Sequence, residues 1–241
     1  MKKIINYFTK FELTLLISSY TLIISSFLIF DRSNYLSLIS SLFGVTSLTF
    51  IAKGNPIGQI IAIIFSILYG IISFSYAYYG EMITYIFMTG PMELIALISW
   101  LKNPSNNSKS EVKIGGINPK EIFLIVGLAT IVTTCFYFIL KYFNTNNLLI
   151  STFSITTSFV AVYLTFRRSP YYALAYAVND IVLIILWILA TIENITYVSV
   201  IICFSVFLIN DIYAFINWHK MKKKQENEKT YLKWTNMFIL R

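Results

Sequence analysis

Polar residues fall in clusters along this chain, and between the clusters run eight nearly uninterrupted apolar stretches. They lie at about 11–30, 34–52, 56–78, 82–101, 120–143, 148–166, 171–192 and 195–218. A helix needs roughly 20 apolar residues to cross a bilayer, and each stretch is close to that length. The runs are continuous rather than alternating, which excludes barrel strands and leaves helices as the spanning form. Residues 102–119, rich in Asn, Ser, Lys and Gly, read as a linker. The basic segment Met1–Lys10 ahead of an apolar run resembles a signal peptide, but that run is too long and lacks a small-residue cleavage site. It is therefore taken as a retained first span.

One pattern is written twice. "PMELIALISWLK" (91–102) lies over "INDIYAFINWHK" (209–220) with Ala, Ile, Trp and Lys in register and Glu93 over Asp211. Upstream, "SLTFIAKGNP" (47–56) resembles "YLTFRRSP" (163–170): an apolar end turns through basic residues into a proline that opens the next helix. Spans two to four thus repeat as spans six to eight, with the fifth as linker. A shift of four spans preserves direction, so the two units run parallel, as in one class of transporter. The expected fold is an all-α membrane protein of eight transmembrane helices: two parallel three-helix bundles, a linker helix and an extra N-terminal span. Its units are 1–33 (N-terminus and first span), 34–101 (first bundle), 102–119 (cytoplasmic loop), 120–147 (linker helix), 148–218 (second bundle) and 219–241 (basic cytoplasmic tail).

Composition agrees. The chain is 57% hydrophobic and 12% charged, where soluble domains run near 45–50% and about 25%. With the N-terminus inside, all 19 Lys and Arg except Arg32 and Lys141 fall on the cytoplasmic side, the bias of the positive-inside rule. Both termini are expected in the cytoplasm, and the net charge of +8 needs no nucleic-acid partner. The tail, with Tyr231, Trp234 and Phe238 among its lysines, suits either an interfacial helix on anionic lipid or a solvated anchor. Cys135 and Cys203 sit in apolar runs and suggest neither a disulfide framework nor a metal site.

Three acids stand deep inside spans: Glu93, Asp180 and Asp211, each nine to twelve residues from the nearest basic residue at the cytoplasmic edge. At 1.5 Å per residue that is about 13–18 Å, the middle of the hydrocarbon core, and no Lys or Arg shares that depth. Buried charge in a membrane is expensive and points to function. Each acid has a Trp seven residues on, Trp100, Trp187 and Trp218, on the same helical face. Trp100 and Trp218 are read mainly as an interfacial aromatic belt. Asn179, Asn210, Tyr213 and Asn217 add polar groups, the last three on one face, where interhelical bonding would also place them. Gly90-Pro91 precedes Glu93, and the proline is expected to remove the bond to the Phe87 carbonyl and kink the helix. Carboxylates with aromatic faces suit a small cation carrying hydroxyls; proton coupling is the competing use of such acids.

The plan of three, one and three spans, together with "YYGEMITYIFMTGPMELIALISWLK" (78–102), "AVNDIVLIILW" (177–187) and "LINDIYAFINWHK" (208–220), resembles the PnuC family of bacterial nicotinamide riboside transporters. The resemblance spans about residues 34–220. It implies import of nicotinamide riboside by facilitated diffusion, trapping by cytoplasmic phosphorylation, a homotrimer in the bacterial plasma membrane, and no cofactor. Carried over, Glu93, Asn179, Asp180, Trp187, Asn210, Asp211 and Tyr213 line the substrate site. The chain departs from the family where a Trp-x-x-Trp pair usually precedes span seven's Asn: Tyr172 and Ala175 stand there, with Tyr176 beside them. A Gln common near the Glu93 position is here acidic. Related transporters carry thiamine, riboflavin or deoxynucleosides, and these remain alternatives. A membrane enzyme has little behind it, since the one His, His219, lies at the cytoplasmic edge and no nucleophile or metal constellation accompanies it.

Overall fold

The computed structural model describes residues 7–239 apart from 77, 107, 109 and 193, with side chains to residue 230. Lys2, Lys3, Lys109 and the side chains of Tyr231, Trp234 and Phe238 lie outside the described residues. In order the helices are α1 (Lys10–Phe30), α2 (Tyr35–Ala52), α3 (Ile57–Ser75), α4 (Tyr79–Thr84), a π-helical turn (Tyr85–Thr89), α5 (Gly90–Lys102), α6 (Pro119–Tyr142), α7 (Leu148–Phe166), α8 (Tyr172–Thr191), a 3₁₀ turn (Ile195–Tyr197) and α9 (Val198–Ile239). With α4 through α5 counted as one span, eight helices are long and apolar enough to cross a membrane.

Local chemistry sets the helix ends. Thr9 and Glu12 form a capping box that opens α1. Asn34 caps α2 by accepting from Ser37 N–H. The expected kink at Pro91 takes a specific form: the chain widens into a π turn, and Gly90 N–H bonds Tyr85 C=O five residues back. Helix α9 runs on past Trp218, where a break was expected. The Lys- and Glu-rich stretch after His219 holds no Gly or Pro, and Lys222 pairs with Glu226 one turn on at 3.9 Å.

Helices α2, α3 and α4–α5 form the first bundle, and α7, α8 and α9 the second. They join crosswise, α2 against α9 and α5 against α7. At the end that carries the 102–119 linker the joins are reciprocal. Trp100 Nε1 donates to Thr165 C=O and Ser99 Oγ to Phe166 C=O, at 2.9 and 3.0 Å. Trp218 Nε1 donates to Ile51 C=O and Asn217 Nδ2 to Ala52 C=O, at 2.9 and 2.8 Å. The third helix of each bundle thus gives the last carbonyl of the other's first helix, Ala52 or Phe166, its partner and adds a second bond to Ile51 or Thr165 C=O, which already accepts from Gly54 or Arg168 N–H. Trp100 and Trp218 are 1% and 0% exposed, and their rings stand 5.4 Å apart. This corrects the belt reading: both indoles are spent inside the protein.

The repeat extends into the turns after α2 and α7. Gly54 and Arg168 both take left-handed conformations, at φ 65° and 55°. Asn55 N–H bonds Phe50 C=O and Ser169 N–H bonds Leu164 C=O in matching closures. The structural register pairs Phe50 with Leu164, so the shared Leu-Thr-Phe letters are offset from it by two residues. The linker 102–119 crosses beneath both turns. Val112 N–H bonds Gly54 C=O, Gly115 N–H bonds Arg168 C=O, and Gln225 on α9 bonds Ile114 N–H and Val112 C=O. A Cβ on Gly115 would lie 2.3 Å from the Arg167 carbonyl oxygen, so only glycine allows this approach. Helix α6 packs on α7 and leaves most of its surface outward; α1 packs on α2 and α9.

Trp218→Phe and Trp100→Phe each keep the ring and lose the cap. Each is expected to lower stability by about 1 kcal/mol through the lost bond, the carbonyl keeping its backbone partner. Thermal unfolding of the purified protein measures this, and comparable shifts for both variants are expected from the symmetry.

Candidate functional site

Where the bundles meet, an enclosed cavity of about 50 Å³ lies between α2, α3, α4–α5, α7, α8 and α9. Its floor, on the side of the 102–119 linker, is formed by Ile51, Gln59, Thr165 and Tyr172, with Trp218 packed beneath Tyr172 at 4.7 Å. Glu93, Asp180, Asp211 and Asn179 occupy the middle, with Thr89 and Tyr176. Toward the outer side Phe65, Tyr85, Phe204 and Phe207 interlock, Phe65 lying 5.5 Å from Phe207 and Tyr69 4.4 Å from Tyr85. Placement follows from helix period: Tyr85, Thr89 and Glu93 recur every four residues across the π turn, and Tyr172, Tyr176 and Asp180 do the same on α8.

The three carboxylates are nearly sealed from solvent, at 6% (Glu93), 3% (Asp180) and 2% (Asp211) exposure. Glu93 Oε2 accepts from Ser66 Oγ at 2.7 Å. Asp180 and Asp211 face each other within hydrogen-bonding reach. Asn179 Oδ1 accepts from Thr157 and Ser158, at 2.7 and 3.0 Å, which leaves its NH₂ to donate elsewhere. No Lys, Arg or His lines the cavity. Like charges this close repel, and a cation set against both offsets that repulsion.

Unpartnered polar atoms concentrate here. Among the described residues, four buried side-chain atoms of this cavity have no hydrogen-bond partner, both atoms of the Gln59 amide, Thr89 Oγ1 and Tyr172 Oη, while Asp180 Oδ2 and Asp211 Oδ1 belong to carboxyl groups that have only each other in reach. Buried polar groups are normally paired, and a cluster of exceptions in one cavity describes a ligand's partners. The acceptors are anionic, the amide offers a donor and an acceptor, and the tyrosines offer ring faces. That set offers partners to a small organic cation with polar substituents, and a cavity of about 50 Å³ must widen to admit one.

Glu93, Asn179, Asp180 and Asp211 therefore come together in the cavity. The other sequence candidates do not. Asn210 Nδ2 donates to Ser19 Oγ on α1 at 3.1 Å, and Tyr213 Oη to Glu12 Oε1 at 2.8 Å. With Asn217 these residues do share one face, but it meets the added helix α1 and the end of α2. Trp187 is fully buried in the outer core, its indole donating to Tyr69 Oη at 3.0 Å. Gln59, Tyr85 and Thr89 escaped notice as lining residues. Gln59 had a legible signal, a lone amide inside "PIGQIIAII". Three more acids are buried: Asp31, which accepts from Tyr76 Oη at 3.4 Å, Glu81 and Glu12. Glu81, outside the cavity, accepts from Ser154 Oγ at 2.9 Å. Glu12, near the start of α1, pairs with Lys53 at 2.9 Å.

A larger apolar groove of about 800 Å³ opens between α6 and α7. Its lining holds no carboxylate and one charged residue, Lys222, so it is not the polar site.

A family model described as nicotinamide mononucleotide transporter matches residues 34–220. A protein of Neisseria mucosa named nicotinamide riboside transporter PnuC is 23% identical over 205 residues, covering 83% of this chain and 78% of that protein. One of the same name from Haemophilus influenzae is 21% identical over 192 residues, covering 79% and 82%. A crystal structure described as the vitamin B3 transporter PnuC superposes with a TM-score of 0.80 at 22% identity, covering 90% of this chain and 94% of that one. The eight-span fold is therefore shared.

The Glu12–Lys53 pair ties α1 to the turn after α2, and Glu12 is 2% exposed. Lys53→Met leaves that carboxylate buried with no counter-charge and only Thr9 N–H and the Tyr213 hydroxyl as donors, and is expected to cost about 3 kcal/mol, against less for Glu12→Gln. Chemical or thermal unfolding of the two variants compares them.

Proposed function

The chain belongs to the nicotinamide mononucleotide transporter family, and from that premise we propose that it carries nicotinamide riboside across the membrane through the central cavity. One observation carries the reading: three carboxylates and four further polar atoms without a partner share an enclosed space lined, among the described residues, by no cationic side chain. Nicotinamide riboside is a pyridinium cation with a ribose and an amide. Asp180 and Asp211 balance its charge, Tyr172 and Tyr176 present ring faces, and hydroxyl and amide groups meet the sugar. Between riboside and mononucleotide the lining favours the riboside. A phosphate would enter a space that already holds three acids and offers it no Arg or Lys.

Transport is by facilitated diffusion, with phosphorylation in the cytoplasm trapping the product. The protein sits in a bacterial plasma membrane with both termini inside, a topology supported by the distribution of Lys and Arg. Assembly as a homotrimer belongs to the same reading and is supported by the family resemblance. Outward apolar side chains on α6, among them Phe123, Val126 and Phe138, suit contact with lipid or a second subunit.

Asp180→Asn and Asp211→Asn preserve shape and remove charge. Each is expected to reduce uptake of labelled nicotinamide riboside into proteoliposomes by at least about tenfold, with folding and reconstitution unchanged. Uptake should stop at equal concentrations and ignore proton ionophores. Unaltered uptake in both variants would remove the acids from the site. Transport of thiamine, riboflavin or a deoxynucleoside in place of the riboside would reassign the cargo.

A further inference from the structure

We propose that Gln59 reads the primary carboxamide of the ligand and thereby sets a preference for pyridinium ribosides that carry one. The inference rests on the reading of the central cavity as the nicotinamide riboside site. Gln59 is 1% exposed, lines the cavity, and has a partner for neither Nε2 nor Oε1. Sealing an unbonded amide away from water is costly, so a residue kept this way fits a partner that arrives. The side chain stands one turn inside Pro56 and shares the cavity floor with Ile51, Thr165 and Tyr172, none of which bonds its amide.

The chemistry of the missing partner follows from the group itself. A primary amide presents one donor and one acceptor side by side. A hydroxyl meets these one at a time, a carboxylate satisfies only the donor, and a ketone satisfies only the donor. A second carboxamide set edge to edge satisfies both in a two-bond ring. The other unpartnered groups divide the rest of the ligand. Asp180 and Asp211 suit the cationic part, and the Thr89 hydroxyl suits the pentose.

Position agrees. Gln59 precedes Ser66 by seven residues on α3, about 10 Å of helix axis, and Ser66 holds Glu93 in the carboxylate tier. The amide reader is thus offset toward the cytoplasm from the charges, as a carboxamide is offset on the ring from the charged nitrogen. The equivalent place in the second bundle is Ala173, 114 residues on, which has no polar atom to offer. Only one end of the cavity can read an amide, so the ligand has one orientation.

The test is calorimetry on the purified full chain with two charge-matched probes, nicotinamide riboside and 3-acetylpyridinium riboside. The second keeps the cation, the ribose and the carbonyl and replaces NH₂ with CH₃. The wild type is expected to favour the amide by about tenfold or more. In Gln59→Leu the amide ligand weakens by that factor while the acetyl ligand keeps its affinity within about twofold, so the preference disappears. Gln59→Met, which keeps the side-chain length, repeats the comparison should the leucine variant unfold. An unchanged preference in the folded variants would overturn the role of Gln59 and mean that its amide meets only water. Failure of the wild type to bind either riboside would instead overturn the reading of the cavity.

Discussion

The crosswise capping of two helix ends is the constraint on which the rest of the molecule depends. In hydrocarbon a helix cannot leave its last carbonyls to water, and α2 and α7 both end where a sharp left-handed turn must begin. Each is completed by an indole and a small polar side chain from the far bundle. Neither bundle is finished alone. The two indoles also meet each other, and Trp218 supports Tyr172, so the joint between bundles is the floor of the cavity. Any motion that opens a path to the cytoplasm must rearrange this joint, because it is the material separating the cavity from the linker strap below.

Above that floor the structure tolerates what a membrane protein otherwise avoids. Three acids sit in a space lined by no basic group, and several polar atoms have no partner. The cost is borne by the frame: Ser66 anchors Glu93, Thr157 and Ser158 orient Asn179, and a wall of aromatic rings closes the outer side. The π turn belongs to the same economy. It lets Pro91 sit inside a spanning helix while Tyr85, Thr89 and Glu93 keep facing inward.

Span number, parallel repeat and the central acids were legible in the sequence because each rests on a local rule: run length, charge bias, or a carboxylate where no carboxylate is cheap. Facing directions were less legible. Asn210 and Tyr213 share a helix with Asp211, yet a rotation of about 100° per residue turns them to α1, a helix outside the repeat. Spacing places residues on a common face of one helix without saying which neighbour that face meets. Trp100 and Trp218 fooled the belt rule for a related reason. Their depth was right, but burial depends on the opposite bundle. The loop 102–119 read as a linker by composition, while its hydrogen bonds to Gly54, Arg168 and Gln225 depend on the turns lying side by side.

The doubled pattern separates the frame from the chemistry. Residues that repeat are those that build: the two tryptophans, the two left-handed turns, the two prolines that open α3 and α8. Glu93 and Asp211 keep the repeat, but other residues that line the cavity break it. Phe65 stands where the second bundle has Asn179, Ala62 where it has Tyr176, and Gln59 where it has Ala173. A symmetric frame closes around the site from both sides, and its unlike lining gives a two-ended ligand something to distinguish. Two copies of one bundle would make a cavity that reads the same in either direction. Divergence at three lining positions makes it read one way.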